Sequence, residues 1–399
     1  MKKVTVIGFG ISADTLTFEA MAAINGAEVL AGAARMMELV SGLYKGEPKR
    51  LYPYYLPKEI ADMIAAEEAE RFVILVSGDV GFYSAAAGIA DALDLYDTNF
   101  IPGISTVNAF FAKLKLPWQD AAFISVHGRG TDIVGYVRRN RLTFVLTGNN
   151  VSEIGADLTK YGFGAVKTYV GENLGAEQER IYETTAEGLT QGEFPSLTVL
   201  LFQNGEFDDT TPTGLPDNSF IRLDGIPMTK SETRALVMSK LNLKPDAICY
   251  DIGAGTGSVT VEMALNAYRG HVYAIERKDG AIPLINKNCE SFHIGNVSVI
   301  CAEAPAAIEP LPAPDSVFVG GSGGELGSII KDVLGKNPNA CIVITAVTIE
   351  TVTLALTAFA NAGLNPEIIQ INTSRGKLVG GLHMMEAQNP ITIICTGGL

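Results

Sequence analysis

The sequence contains no uninterrupted apolar run long enough for a membrane-spanning helix. Apolar residues make up 47% of the 399 residues and charged residues 19%. Every apolar stretch is interrupted well before the roughly 20 residues that a bilayer requires. We therefore predict no transmembrane segment. The start, MKKVTVIGFG, combines two lysines with a brief apolar stretch, and its glycines fit a first β-strand better than a signal peptide. The sequence favours a cytoplasmic protein.

Cysteine is scarce, and no two cysteines form a CxxC pair. The five cysteines are widely spaced in the second half of the chain: Cys249, Cys289, Cys301, Cys341 and Cys395. This spacing argues against a disulfide framework and against a structural zinc site. We expect buried, reduced thiols and no metal site.

Basic residues and tryptophan are also few. The 30 Lys and Arg against 44 Asp and Glu give a net charge of −14, and Trp118 is the one tryptophan. A strongly negative chain lacks the electrostatic attraction on which nonspecific binding to nucleic acid depends. We therefore expect no nucleic-acid partner.

Two short stretches nevertheless concentrate positive charge. Residues 126–141 contain one acid, Asp132, and residues 372–383 contain none, whereas their basic side chains are His127, Arg129, Arg138, Arg139, Arg141, Arg375, Lys377 and His383. A solvated helix face explains either stretch alone. Together they also fit the binding of a polyanionic small molecule, because the planar guanidinium of arginine binds carboxylates bidentately.

The length and the composition along the chain predict two domains. A chain of 399 residues exceeds what one hydrophobic core usually organises. Residues 204–226 are rich in Asp, Gly, Pro and Thr, which is typical of a linker. We predict a first domain over 1–203 and a second over 227–399. Thr229 followed by Glu232 predicts a capping box at the first helix of the second domain.

The second domain begins with the pattern of a nucleotide-binding α/β unit. The apolar strand CYDI runs into a D-x-G-x-G-x-G turn, which contains Asp251, Gly253, Gly255, Thr256 and Gly257. The spacing departs from the G-x-G-x-x-G fingerprint of dinucleotide-binding proteins. The next two predicted strands lead into Glu276 and Glu303. Since parallel strands end at one edge of a sheet, these acids and glycines predict a ligand site there.

The first domain contains four turns of small residues, each after a predicted strand. Any one of them alone is a routine turn. Their order along the chain suggests that they converge at one sheet edge, and the residues in question are Gly8, Gly10, Gly78, Asp79, Pro102, Gly103, Ser105, Thr106, Thr147 and Gly148. The first domain therefore also predicts a ligand site, built to a different pattern.

These motifs resemble two families that bind S-adenosylmethionine (SAM). DIGAGTGSVT resembles the first motif of class I SAM methyltransferases, and the terminal PEIIQINTS and PITIICTG resemble that family's closing antiparallel strand pair. This resemblance implies that Gly253, Gly255 and Gly257 border the methionine part of SAM, that Glu276 lies at its ribose, and that Glu303 lies near its adenine. The four turns of the first domain resemble the tetrapyrrole methylases, a second SAM-binding fold with two α/β lobes.

A fusion of the two folds in this order resembles a family of bifunctional methyltransferases of corrin synthesis. GLPDNSF followed by MTKSETRAL is its most specific part. The resemblance implies two SAM sites in each chain, a homo-oligomer and an anionic tetrapyrrole substrate. In that family the first half methylates carbon 5, and the second methylates carbon 15 and removes carbon dioxide from the ring C acetate. Candidates for binding the substrate's carboxylates are Arg129, Lys230, Arg234 and Arg375.

Three other functions are compatible with parts of the pattern. An RNA methyltransferase shares either SAM fold, but usually has a broad basic surface and stacking aromatic side chains. An NAD-dependent oxidoreductase would require a closer match to the dinucleotide fingerprint. A non-catalytic SAM-binding protein would carry the same motifs, since binding motifs do not establish turnover.

Overall fold

The first lobe is a parallel sheet with helices on both faces. The computed structural model describes residues 2–45, 49–126 and 132–396. In the strand order β3-β2-β4-β1-β5, the elements are β1 (Lys3–Gly8), α1 (Phe18–Gly26), β2 (Val29–Gly32), α2 (Ala34–Ser41), β3 (Arg50–Tyr52), α3 (Pro57–Ala66), β4 (Arg71–Val76), α4 (Ala86–Ala92) and β5 (Asp97–Ile101). Successive residues of β1 bury opposite faces: Val6 packs with α3 and α4, and Ile7 packs with α1 and α2.

The second lobe is a mixed sheet in the order β6-β7-β10-β8-β9. It comprises α5 (Thr106–Leu114), β6 (Ala122–Ser125), α6 (Ile133–Arg139), β7 (Leu142–Leu146), α7 (Val151–Lys160), β8 (Lys167–Glu172), β9 (Arg180–Thr185) and β10 (Thr198–Gln203). Phe144 of β7 packs against the phenylalanines of α5, whereas the adjacent Val145 packs against α6 and α7. Both lobes thus place helices on both faces of a sheet, which leaves the ends of the strands for ligands.

The second domain is a seven-stranded sheet in the order β13-β12-β11-β14-β15-β19-β16. Its elements are α8 (Ser231–Leu241), β11 (Ile248–Ile252), α9 (Ser258–Asn266), β12 (His271–Glu276), α10 (Ile282–Ser291), β13 (Val297–Cys301), α11 (Ala304–Ile308), β14 (Ser316–Val319), α12 (Leu326–Lys336), β15 (Cys341–Ala346), α13 (Ile349–Asn361), β16 (Glu367–Ile371), β17 (Ser374–Val379), β18 (Leu382–Ala387) and β19 (Ile391–Thr396). Strand β19 is antiparallel to both of its neighbours. The predicted fold, two α/β lobes followed by a Rossmann-like sheet with a closing antiparallel pair, is confirmed.

Strands β17 and β18 form a separate two-stranded sheet. This hairpin, residues 374–387, joins the end of β16 to the start of β19. Ala346 at the end of β15 pairs with Thr392, so the hairpin leaves the sheet at the edge where the parallel strands end. The basic stretch with Arg375 and Lys377 therefore lies on a β-hairpin. The interpretation of this stretch as a solvated helix face is wrong.

Half of the predicted linker packs against the second domain. The Gly214 and Leu215 amides each donate to the Glu262 carboxylate at 2.8 Å. Phe220 is buried in the core beside α8 and α9. The boundaries at 203 and 227 stay a prediction.

The predicted capping box at Thr229 is wrong. Helix α8 begins at Ser231, and its N-cap Lys230 makes no side-chain capping bond. The Ser231 amide donates instead to Asp217 Oδ1, at 2.9 Å. The cap is therefore supplied from the preceding segment, which a local sequence pattern does not reveal.

The two domains touch through the loops that precede strands of the second sheet. The Arg139 guanidinium lies 4.1 Å from the centre of the Tyr268 ring, in the turn before β12. His293, before β13, has Nδ1 2.7 Å from the carbonyl oxygen of Tyr161. The second domain therefore faces the first with the edge opposite to its strand ends.

Two expectations drawn from composition can be compared with the structure. Among the described residues, none of the helices is both long and apolar enough to cross a membrane. Four cysteines are buried and unpaired, but Cys301 is exposed. The expectation of five buried thiols is wrong for Cys301, because it ends β13 at the outer edge of the sheet.

Candidate functional site

A cavity of about 300 Å³ lies at the strand ends of the second domain. It is formed by the turns after β11, β12, β13 and β14. Its lining includes the predicted residues Gly253, Gly255, Glu276 and Glu303, together with Gly320 and Gly321. The expected convergence of glycines and acids at one edge of this sheet is present in the structure. A cavity of this size and position suits a small molecule.

Two glycines of the turn are required by the backbone itself. Gly253 has a φ of +74°, and a Cβ atom there would lie 2.6 Å from the carbonyl oxygen of Gly321. Gly255 has a φ of +57°, and its Cβ would lie 2.6 Å from the carbonyl oxygen of Pro227. Side chains are excluded by both conformation and contact, so the bare backbone lines the cavity.

Glu276 supports this turn and borders the same cavity. Its Oε2 accepts a hydrogen bond from the Gly255 amide at 2.9 Å, and its Oε1 accepts one from the Lys278 amide at 3.0 Å. Each carboxylate oxygen has two lone pairs, so capacity remains for hydroxyl donors of a ligand. Glu276 therefore holds the glycine turn at the border of the cavity, and its contact with a ribose stays a prediction.

Glu303 contributes from the outer side of the cavity. It is the N-cap residue of α11 and is exposed, and its Oε1 lies 3.8 Å from Arg277 Nη1. Arg277 and Ser322 also line the cavity and were not predicted. The sequence does place these two residues just after predicted strands. Many surface residues have such a position, so it does not distinguish Arg277 and Ser322 from them.

Asp251, Thr256 and Gly257 lie in the protein interior beneath the turn. Asp251 is fully buried, and burial raises the pKa of its carboxyl to about 7. The Thr260 hydroxyl donates to Asp251 Oδ2, whereas Asp251 Oδ1 and Thr256 Oγ1 have no hydrogen-bond partner in the described part of the chain. Gly257 has a φ of +76° and packs on Ile285. Their predicted contact with a cofactor stays a prediction.

Three turns of the first domain meet through their backbones. A Cβ atom on Gly8 would lie 2.6 Å from the carbonyl oxygen of Gly78 and 2.7 Å from the Gly103 nitrogen. One on Gly103 would lie 2.3 Å from the Gly8 carbonyl oxygen. Glycine is therefore required at these positions by the contact of the turns with one another.

Hydrogen bonds connect the same turns. The Gly10 amide donates to the Gly78 carbonyl at 3.0 Å. Asp79 accepts from the Gly81 amide with Oδ1 at 2.8 Å and from the Gly103 amide with Oδ2 at 3.2 Å. Pro102 precedes this last contact, Ser105 caps α5 by accepting from the Asn108 amide, and Thr106 is the first residue of α5. Asp79 is thus a cross-link between the second and third turns.

The fourth turn belongs to the other lobe. Thr147 is buried, and its hydroxyl donates to the Thr198 carbonyl at 2.7 Å, while the Gly148 amide donates to Asn150 Oδ1 at 3.0 Å. Within the described ranges, no hydrogen bond joins this turn to the other three. The structure brings three of the four turns into direct contact.

A fifth loop, which the sequence analysis missed, reaches the first turn. Gly175 follows β8 with a φ of +79°, and a Cβ there would lie 2.8 Å from the carbonyl oxygen of Ile11. Asn173, two residues earlier, also has a positive φ of +50°. Asn and Gly in the stretch ENLG were the available signal, since both tolerate left-handed backbone.

Arg234 is a buried member of a network of hydrogen bonds and ion pairs. Its Nε donates to Glu262 at 2.8 Å, Nη1 donates to Asp217 at 3.1 Å, and the guanidinium also donates to the carbonyls of Thr229 and Leu215. The side chain is completely inaccessible. The network explains Arg234 as a link between the linker and α8, and the structure gives its predicted role in substrate binding no support.

The other three basic candidates differ in availability. Arg375 forms ion pairs with Glu232 at 2.6 Å and Asp217 at 2.9 Å, and these contacts raise its pKa. Lys230 makes no side-chain hydrogen bond or ion pair within the part of the chain that is described, and it is half-buried at the start of α8. Arg129 lies outside the described residues. Of the three candidates that the structure describes, Lys230 is therefore the one with an uncompensated charge.

The residues around the second-domain cavity fit SAM. The bare backbone at Gly253 and Gly255 permits close approach of an extended ligand, and the Glu276 carboxylate accepts hydrogen bonds from hydroxyl groups. A side chain at Gly321, where nothing lies within 4 Å, would occupy open space beside the cavity.

Two family models match the chain, one for each domain. The family described as Tetrapyrrole (Corrin/Porphyrin) Methylases matches residues 3–190. The family described as Precorrin methyltransferase domain matches residues 220–396. The two matches leave only a short stretch around the predicted linker between them.

Individual relatives agree with this division. A precorrin-6Y C(5,15)-methyltransferase [decarboxylating] from Sinorhizobium sp is 29% identical over 396 residues, covering 97% of this chain and 94% of that protein. A probable cobalt-precorrin-6B C(15)-methyltransferase (decarboxylating) from Pyrobaculum calidifontis is 40% identical over 183 residues, covering 45% of this chain and 94% of that protein.

Among solved structures, a precorrin-6y C5,15-methyltransferase from Geobacter metallireducens GS-15 is similar. It is 36% identical, with a TM-score of 0.44, and the match covers 46% of this chain and 95% of that one. The family matches and the relatives span both domains, in the order that the motifs predicted. The chain belongs to the precorrin-6Y C(5,15)-methyltransferase (decarboxylating) family.

Proposed function

We propose that this protein transfers methyl groups from SAM to carbons 5 and 15 of a precorrin or cobalt-precorrin macrocycle and releases carbon dioxide from the ring C acetate. The observation that carries the proposal is the cavity at Gly253, Gly255 and Glu276, in a chain whose two halves match these methyltransferase families. The reactions belong to the synthesis of the corrin ring of cobalamin.

The protein's contribution to methyl transfer is positioning. Bound SAM supplies a methyl group that its positive sulfur already activates. The bare backbone at Gly253 and Gly255 and the carboxylate of Glu276 would hold and orient the cofactor. Exclusion of water and alignment of the acceptor carbon then account for the rate, so no nucleophilic side chain is required.

Decarboxylation needs an acceptor for electrons, and the substrate provides it. When the bond between the acetate methylene and its carboxylate breaks, the electron pair enters the conjugated macrocycle and carbon dioxide leaves. A proton then restores the methylene carbon to a methyl group. The protein's part is to hold the other carboxylates while leaving the departing one poorly stabilised.

Lys230 is the cation that we assign to a substrate carboxylate in the second domain. Its ammonium has no partner among the described residues, and α8 begins beside Pro227, which lines the cavity. Arg375 is engaged by two carboxylates and would have to exchange them for the substrate's. In the first domain we retain Arg129, which follows β6 in the sequence, as the corresponding candidate.

Each domain has its own set of glycine turns, and we assign one part of the reaction to each. We assign carbon 5 methylation to residues 1–203, with SAM at the turns that Gly8, Asp79 and Gly103 hold together, and carbon 15 methylation with decarboxylation to residues 227–399. Each chain then has two SAM sites. The free state of all five cysteines agrees with a reducing, cytoplasmic compartment.

The decisive experiment supplies the purified chain with SAM and either metal-free or cobalt-containing precorrin. We expect a product that has gained two methyl groups and lost one carbon dioxide, as read by mass spectrometry. Calorimetry with SAM alone should give two sites per chain. A chain that binds SAM and leaves both macrocycles unchanged in mass is a binding protein, and this outcome would refute the enzymatic proposal.

A further inference from the structure

One wall of the second-domain cavity comes from outside the sheet. Residues 221–227, which we call the wall segment, follow the buried Phe220, and Ile226 and Pro227 at the end of this segment line the cavity. The structure describes all of the wall segment as neither helix nor strand, and residues 221–225 are exposed. The regular hydrogen bonds of a helix or a sheet therefore do not hold this wall, and other contacts must fix its backbone.

The wall segment meets the glycine turn directly at its end. The Thr256 amide donates to the Pro227 carbonyl at 3.3 Å, and a Cβ atom on Gly255 would lie 2.6 Å from the same carbonyl oxygen. A distance of 3.3 Å is longer than is usual for a hydrogen bond between an amide and a carbonyl. The position of Pro227 therefore also depends on what fixes the rest of the wall segment.

A buried side-chain amide holds the start of the wall segment. Asn288 lies in α10 and is completely buried. Its Oδ1 accepts a hydrogen bond from the Ile221 amide at 2.8 Å, and its Nδ2 donates one to the Ile221 carbonyl at 3.1 Å. The side chain thus engages both polar backbone groups of Ile221, as a paired residue does in an antiparallel sheet. These two bonds fix the chain where the wall segment begins.

The same side chain also holds the glycine turn. Asn288 Nδ2 donates a second hydrogen bond, to the Thr256 carbonyl at 2.8 Å. The carbonyls of Ile221 and Thr256 therefore take both N–H donors of the amide. With its oxygen and nitrogen exchanged, the amide would place an oxygen against two carbonyl oxygens. The partners therefore fix the orientation of the side chain.

Together these contacts form a closed ring. From Thr256 the ring passes to Pro227, along the wall segment to Ile221, and through the Asn288 side chain back to Thr256. Asn288 is the member of this ring that contributes its side chain, and the other contacts are made by backbone groups. Loss of the Asn288 amide would open the ring and leave the buried Thr256 carbonyl without this donor.

We infer that Asn288 is a positioning residue of the second-domain SAM site. By joining Ile221 to the glycine turn, it fixes the place of Pro227 and with it the width of the cavity. Asn288 itself is not one of the residues that line the cavity, so it acts through the wall segment and the turn. The inference rests on the proposed function for the identity of the ligand, SAM.

The test removes this amide and a matched one from the full chain. Asn288→Ala removes the three hydrogen bonds. Asn296→Ala is the control, because Asn296 is also buried in the second domain, and its Nδ2 donates to the carbonyls of Ala264 and Ala267 at 3.2 and 2.9 Å. Asn296 precedes β13, at the edge of the sheet opposite to the cavity. The two variants lose comparable amides, and the wall segment is joined to the first of them.

Hydrogen exchange without SAM tests the ring itself. The amides of Ile221 and Thr256 should exchange about 10-fold faster or more in Asn288→Ala, because the contacts that protect them are lost. Asn296→Ala should leave the exchange of these two amides unchanged. This measurement depends on neither SAM nor the macrocycle.

Calorimetry with SAM tests the effect on the cavity. Asn288→Ala should lower the SAM affinity of the second-domain site about 10-fold, which corresponds to the net contribution of about one hydrogen bond. The first-domain site, titrated in the same experiment, should be unchanged. Asn296→Ala should lower the midpoint of urea denaturation and keep the SAM affinity of both sites.

The kinetics of carbon 15 methylation distinguish positioning of SAM from a general loss of activity. In Asn288→Ala the KM for SAM should rise about 10-fold, whereas kcat at saturating SAM should change much less. Asn288→Asp keeps the size of the side chain and the acceptor for the Ile221 amide. With Asn296→Asp as its control, it gives the same comparison if the alanine variant does not fold.

Two results would overturn the inference and leave the proposed function intact. The folded Asn288 variants could bind SAM at the second site as tightly as the unmodified chain does. Alternatively, the Asn296 variants could lose as much SAM affinity as the Asn288 variants, which would reveal a general loss of stability. If the second domain of the unmodified chain binds no SAM, the proposed function fails, and the inference fails with it.

Discussion

The glycine turns of the two domains use the same residue type for different purposes. In the first domain, Gly8 and Gly103 pack against each other and against the Gly78 carbonyl oxygen, and the small size of Gly8 and Gly103 lets three turns meet. In the second domain, Gly253 and Gly255 approach Gly321 and Pro227 at the border of a cavity. The comparison teaches that a glycine-rich turn at a strand end can be needed for assembly of the site, for access of the ligand, or for both.

The largest effect is expected from Gly255→Val. A β-branched residue in left-handed backbone costs about 1–2 kcal/mol before its contact with Pro227 is counted. SAM affinity at the second site should fall about 100-fold or more, a loss of at least about 2.7 kcal/mol. Carbon 15 methylation and carbon dioxide release should disappear together, while carbon 5 methylation persists on a substrate that is already decarboxylated.

Gly335→Val is the control for this change, because Gly335 lies in α12 and a Cβ atom there would have no neighbouring side chain within 4 Å. It should leave both activities intact. Loss of carbon 5 methylation in a folded Gly255→Val protein would mean that the two domains share one active site.

The next largest effect is expected from Arg234→Met, which leaves Glu262 and Asp217 without their buried partner. Breaking a buried ion pair from one side costs about 3–5 kcal/mol, and urea denaturation should register this loss in the second domain alone. Lys240→Met, on the same helix, removes an ion pair that solvent screens, and the urea midpoint should change little. Weaker macrocycle binding at unchanged stability would restore Arg234 as a substrate ligand.

A smaller effect, confined to the first domain, is expected from Asp79→Ala. The change removes the carboxylate that accepts hydrogen bonds from the Gly81 and Gly103 amides. Hydrogen bonds to a charged group contribute about 1.5–3 kcal/mol, so carbon 5 methylation should fall about 10- to 100-fold. Carbon dioxide release should continue at its normal rate. Asp94→Ala, at an exposed position, is the control and should change neither reaction.

The effect of Asp251→Asn, unlike those above, is expected to depend on pH. Burial raises the pKa of the Asp251 carboxyl from 3.8 to about 7, so the folded protein binds this proton more tightly than the unfolded chain. The free energy of unfolding of the unmodified protein should therefore fall, relative to that of the variant, as the pH rises from about 4 to about 7. Above that range the difference should be constant. Denaturation at several pH values measures it, and a difference that does not vary with pH would contradict a protonated Asp251.

Much of the site could be predicted because its residues are close to strand ends in the sequence. Gly253, Gly255 and Glu276 follow strands whose apolar patterns are plain, and parallel strands end at one edge. Arg234 could not be interpreted in this way, because its partners Asp217 and Glu262 lie on segments that only the tertiary fold brings to it. The loop at Gly175 is similarly remote in sequence from Ile11, which it meets.

Other features were missed although a local signal existed. The Gly380–Gly381 pair between two stretches of β-forming residues is typical of a hairpin. The sequence analysis interpreted this region by its basic residues alone and did not predict the hairpin. For the cap of α8, a local signal existed but was misleading. Thr229 and Glu232 satisfied a local rule, but the carboxylate of Asp217 from the preceding segment caps the helix.

The placement of the domain contact has a consequence for the path of the intermediate. Tyr268 and His293 face the first domain from loops that precede strands, whereas the cavity opens at the opposite edge of the second sheet. If the macrocycle reacts in both domains, as we propose, it has to enter or leave the second-domain cavity at the edge that faces away from this contact. We therefore expect the intermediate between the two methylations to pass through solution, where an added scavenger protein should intercept it.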